Sequence, residues 1–230
     1  MIATDRFVFI HLHTCGGSYV TDFLMRCIPD ARRIGSHLPR RLMPPPLAHL
    51  PVLGFVRNPW SYYVYWYALQ LRRAKPNPLF RILSEEGRLD FEHTLGNMLN
   101  LGVTGNLLDA TVAALPQGLT GSGLNLPGSA LASIRGSGLG LFSFLHGYMY
   151  DAPGVLHVRR IERVREELPP MLQAVGQPVS AAMQAYLRDA PTGQLLQTRP
   201  YADHYSSALR DLVAERDAEI IARHGYRFGE

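Results

Sequence analysis

Residues able to do chemistry gather at two points near the N-terminus. In Phe7-Val8-Phe9-Ile10-His11-Leu12-His13-Thr14-Cys15-Gly16-Gly17-Ser18-Tyr19-Val20 an apolar run breaks abruptly into polar side chains and two glycines. In Val52-Leu53-Gly54-Phe55-Val56-Arg57-Asn58-Pro59-Trp60-Ser61-Tyr62-Tyr63 a second apolar run ends on an arginine. Paired glycines let the backbone approach a ligand and adopt φ > 0. N–H groups at a helix start then hold an anion, and a guanidinium clamps a second one in a bidentate grip. The pairing suits a phosphorylated nucleotide. A G-x-x-x-x-G-K-S/T loop is missing, which disfavours a nucleoside triphosphatase or kinase.

Such a site needs strands that deliver each loop and helices that carry the chain away. Residues 7–12 and 52–57 read as buried strands, and 17–27 as a helix. Asn58-Pro59 is a helix start, with Asn as N-cap and Pro at the first helical position. The helix from there to about Arg73 is densely aromatic, and its rings read mainly as core. Residues 31–51 are interrupted by five prolines, and 74–90 form a polar connection. Residues 90–101 and 140–150 read as helices. Residues 154–158 read as a third strand, followed by a helix from Glu162 to Val175 that Pro169-Pro170 interrupts. Residues 177–204 read as loop with one short helix, and 206–224 as one amphipathic helix that Gly225 caps. Residues 102–139, rich in Gly, Ser, Pro and Leu, read as a long loop or lid with a short helix at 112–115. Strands alternating with helices predict an α/β fold, with a parallel sheet flanked by helices on both faces.

At 230 residues the expectation is one domain spanning 1–230, with 102–139 inserted in it. The net charge of +4 favours anionic ligands, but the arginines are scattered, which argues against nucleic acid. The only cysteines are Cys15 and Cys27, too few for a disulfide framework. No signal-like start and no apolar run of about 18 residues is present, so a cytoplasmic, bacterial-type enzyme without a membrane span is expected. No Cys/His cluster has metal-ligand spacing.

Taken in order, these motifs resemble PAPS-dependent sulfotransferases, the group of heparan and carbohydrate sulfotransferases and their bacterial relatives. PAPS is 3′-phosphoadenosine 5′-phosphosulfate. The family's first loop runs I-H-x-P-K-T-G-G-T, and Ile10 to Ser18 stand in its place. Its second motif runs V-R-N-P-x-D-R-x-x-S-x-Y, matched by Val56 to Tyr67. Ser36-His37-Leu38-Pro39, Val158-Arg159-Arg160-Ile161-Glu162 and His224-Gly225-Tyr226-Arg227-Phe228 resemble later segments, so the likeness spans nearly the whole chain.

The resemblance implies a P-loop-like fold and sulfuryl transfer to a hydroxyl or amine acceptor, carbohydrates included. It implies that His13, Thr14, Cys15, Gly16, Gly17 and Ser18 hold the 5′-phosphosulfate. Arg57, with Tyr65, holds the 3′-phosphate. His37 is the implied catalytic base, and Glu162 a structural residue that orients its strand end. Two departures from the pattern bear directly on the chemistry. Thr14 replaces the loop lysine that stabilises the leaving phosphate, and Tyr65 replaces a phosphate-binding serine. A rival expectation follows: a catalytically impaired relative that binds a nucleotide or a protein partner.

Overall fold

The computed structural model describes residues 1–121, 123–192 and 199–230. Parts of the segments expected as loop, Ser122 and 193–198, lie outside the described residues. The strands are β1 (Ile2–Ala3), β2 (Val8–Ile10), β3 (Arg32–Arg33), β4 (Val52–Val56) and β5 (Leu156–Arg160). The helices are α1 (Gly17–Cys27), α2 (Pro59–Leu71), α3 (Pro78–Leu83), α4 (Phe91–Leu99), α5 (Gly105–Ala114), α6 (Gly128–Leu131), α7 (Leu141–Tyr150), α8 (Val164–Ala174), α9 (Ala181–Asp189), α10 (Ser207–Arg216) and α11 (Ala218–His224). The chain divides into two compact units. One is Met1–Arg57 with the stretch from Tyr148; the other is Asn58–Gly147 with the C-terminal stretch.

The first unit holds a five-stranded sheet in the order β3-β1-β2-β4-β5. β2, β4 and β5 run parallel, as expected, with Ile10 level with Gly54 and Val56 level with Arg160. The expected all-parallel sheet is corrected at its other side, because β1 pairs antiparallel with both β2 and β3. The cause is a tight turn built by buried Thr4. Its hydroxyl accepts from the Arg6 and Phe7 N–H groups and donates to the Phe7 carbonyl. Two-residue strands carry too little periodicity to be read from sequence. β3 is an exposed pair of arginines, a charged edge that resists pairing with another chain.

One face of the sheet presents Phe7, Phe9, Leu53 and Phe55 to α1, α8 and α9. Tyr19, Val20, Phe23 and Leu24 of α1 meet Val164, Leu168, Met171 and Leu172 of α8 there. α8 runs unbroken through Pro169-Pro170, where an interruption was expected. The prolines leave the Arg165 and Glu166 carbonyls without helix donors and cost about 3 kcal/mol each. Four buried apolar side chains at about 1.5–3 kcal/mol apiece offset that. On the other face Gly54 admits the Tyr150 ring, whose hydroxyl donates to the Phe55 carbonyl at 3.0 Å.

The second unit is helical. Asn58 caps α2 as expected, accepting from the Trp60 and Ser61 N–H groups, while its amide donates to the Arg227 carbonyl and the Tyr201 hydroxyl. Trp60, Tyr62, Tyr63 and Trp66 are buried, and Tyr62 stacks on Phe142 at 4.0 Å. Residues 102–139 are more ordered than the expected loop. They contain α5, α6 and a 3-10 turn (Ala132–Ile134). α5 buries only Leu108 and Thr111, so it leaves little periodic trace.

The expected C-terminal helix breaks at Asp217, which is fully buried. Its carboxylate accepts from Tyr63 Oη at 2.8 Å and from the Ser143 N–H at 2.9 Å, while Tyr63 Oη accepts from the Phe142 N–H. Together they cap the first turn of α7 from outside its own segment. Burial raises the Asp217 pKa from 3.8 to about 6, with the Ser143 and Tyr63 contacts pulling it back. The folded state therefore holds this proton more tightly than the unfolded chain. The stability it contributes is full below pH 4 and falls away as pH rises through 6. Asp217→Asn removes that dependence. In urea titrations, the wild type is expected to lose on the order of 2–3 kcal/mol relative to the variant between pH 4 and 7.5. A constant difference across that range would contradict the assignment.

Candidate functional site

The site forms where β2 gives way to α1. Beyond Ile10 the chain turns through His11 to Gly16, and Thr14 and Gly16 sit in the left-handed region at φ 54° and 68°. The Cys15 N–H reaches back to the Leu12 carbonyl, and Thr14 Oγ1 donates to the His13 carbonyl at 2.8 Å. Both glycines are required by close approach. A Cβ on Gly17 would fall 1.8 Å from the His11 ring, and one on Gly16 would fall 2.4 Å from Ile161. His11 thus lies directly under the helix start, and Ile161, just past β5, braces its flank.

This arrangement leaves the N-terminus of α1 electrically positive. No side chain caps it, and its first turn carries no acidic residue. Gly17 and Cys15 are buried, while Ser18 is exposed. Arg57 follows β4 immediately. Its charge acts on Cys15, in the loop that follows the neighbouring strand β2. The first unit carries twelve arginines against eight acidic residues, so the chain's whole excess of +4 resides there.

Three histidines meet beside the loop. His37, itself at φ 45°, stacks on His13 with centroids 3.8 Å apart and planes 17° apart. It also contacts His11 at 4.3 Å, and its Nδ1 lies 3.0 Å from the His11 carbonyl oxygen. Burial drives the His11 pKa down to about 3, aided by His37, the N-terminal amine and Arg33, so this ring is neutral at working pH. Burial likewise pushes the Cys15 thiol up to about 12, with Arg57 opposing and Glu162 reinforcing the shift. A thiol held there is inert as a nucleophile.

Within the first unit, then, the structure gathers His13, Thr14, Cys15, Gly16, Gly17, Ser18, His37 and Arg57. Tyr65 stands half-buried on α2, in the second unit. Sequence reasoning places His11 in a buried strand and gives Arg160 no role of its own. The alternation of His11 and His13 was the available signal for the first; the parallel register that sets Arg160 beside Val56 has no local sequence signal. Among the described residues no group of three or more His, Cys, Asp or Glu side chains could hold a metal ion. No protein-family model matches the chain, and no curated protein or solved structure matches it.

The close approach at Gly17 has a direct consequence. Gly17→Ala forces the His11 ring out of its place and is expected to cost about 3 kcal/mol in denaturant unfolding. Gly96→Ala serves as control, because its Cβ would meet open space within α4. That change is expected to be neutral or to stabilise by up to about 1 kcal/mol. Equal effects of the two substitutions would contradict the packing argument.

Proposed function

We propose that the chain is a sulfotransferase that uses 3′-phosphoadenosine 5′-phosphosulfate and acts on a hydroxyl or amine acceptor. One observation supports this above the others: an uncapped helix N-terminus behind a left-handed Thr14–Gly16 turn, at the carboxyl end of a parallel strand, with Arg57 ending the neighbouring strand. Ligands of open α/β sheets gather at such strand ends. The fit is chemical as well as positional. The positive helix end and Arg57 suit a doubly phosphorylated nucleotide. The P-loop-like architecture belongs to the same proposal.

The bound cofactor would supply the sulfuryl group and a phosphate leaving group. With the Cys15 N–H turned back to Leu12, the N–H groups of Thr14 and of residues 16–18 would hold the phosphosulfate end and meet the charge that develops on the leaving oxygen. Arg57 binds the 3′-phosphate. His37 takes the proton of the acceptor hydroxyl. Thr14 brings no positive charge, and its hydroxyl is already turned to the His13 carbonyl. That observation favours the second reading, a catalytically impaired relative that retains nucleotide binding.

Calorimetric titration with 3′-phosphoadenosine 5′-phosphate tests the binding claim. Micromolar affinity is expected for the wild type, weakened at least tenfold in Arg57→Ala. A folded wild type that binds nothing contradicts the proposal. Restoring the cation by Thr14→Lys separates the two readings. If the native loop is a weakened catalyst, release of the desulfated nucleotide should rise by about 10²–10³. Unchanged release with intact binding supports the impaired relative.

A further inference from the structure

We infer that His13 is a positioning residue for His37, and that the pair, with the His11 carbonyl, fixes His37 as the tautomer that carries its proton on Nδ1. A carbonyl oxygen can only accept. The 3.0 Å contact between His37 Nδ1 and the His11 oxygen therefore requires a proton on Nδ1. In the neutral ring the lone pair then resides on Nε2, which becomes the basic nitrogen.

That orientation needs support. His37 occupies the left-handed region, which costs a residue with a side chain on the order of 1 kcal/mol or more. That hydrogen bond sets one ring nitrogen but does not by itself define the plane of the ring. The His13 ring removes that freedom by lying nearly parallel against it at 3.8 Å, and His11 closes the adjoining side at 4.3 Å. His13 is itself buried and anchored in the turn that opens α1, so it links the ring of His37 to the loop. Arg33 and the N-terminal amine act on His11 from beside the cluster.

The catalytic consequence, a base whose Nε2 takes the acceptor proton, rests on the sulfotransferase reading; the tautomer does not. The experiment is a long-range ¹H–¹⁵N correlation spectrum of the ¹⁵N-labelled full chain at pH 7.5, with His37 assigned by its loss in His37→Gln. The wild type is expected to show His37 protonated on Nδ1. His13→Phe, which keeps a flat ring in the stack, should retain that pattern. His13→Ala should shift it towards an average of both tautomers. Protonation of His37 on Nε2 in the wild type would overturn the inference, as would an unchanged pattern in His13→Ala. Turnover then reports on the base separately: kcat is expected to fall at least tenfold in His13→Ala, with partial recovery in His13→Phe. Absence of turnover in every form, with the tautomer as expected, would remove the enzymatic reading and leave the positioning role standing.

Discussion

The first unit depends on the contact between Gly17 and the ring of His11. It brings α1 so close to the end of β2 that only a residue without Cβ fits. The left-handed turns at Thr14 and Gly16 follow from that proximity, since the chain must reverse within a few residues. The start of α1 is left without a side-chain cap. His11 stays neutral because it is enclosed there, and a neutral ring can lie beside His37 without repelling it. One steric constraint thus links the turn, its electrostatic character and the histidine cluster beside it.

The second unit is organised by buried polar residues instead. Asn58 closes the start of α2 and holds the C-terminal tail, using both ends of its amide. Asp217 and Tyr63 satisfy the first N–H groups of α7. A buried carboxylate is expensive unless its lone pairs are occupied, and here both oxygens accept. The arrangement trades a cost at neutral pH for a defined start to an otherwise apolar helix.

How far the sequence discloses this varies with the range of the interaction. β4, the Asn58 cap and the start of α1 are legible because each rests on neighbours within a few residues. The loop glycines and Arg57 are legible for the same reason. Asp217 is not, because its partners lie 154 and 74 residues away. The β1 hairpin is hidden by strands too short to show alternation, and α5 by a nearly unburied surface. The path of α8 through two prolines is decided by Leu168, Met171 and Leu172 in the core, which local propensity cannot weigh. The stacking of His37 on His13 joins two segments far apart in sequence, so spacing alone offers no hint of it.

The central claim is that the uncapped N-terminus of α1 receives an anionic nucleotide. Backbone ¹H–¹⁵N spectra of the labelled chain, recorded as 3′-phosphoadenosine 5′-phosphate is added, test it most directly. The expected result is saturable movement of the Gly16, Gly17 and Ser18 amides, with Arg57 shifting alongside them. Saturable shifts confined to other parts of the chain, or no shifts at millimolar nucleotide, would contradict it.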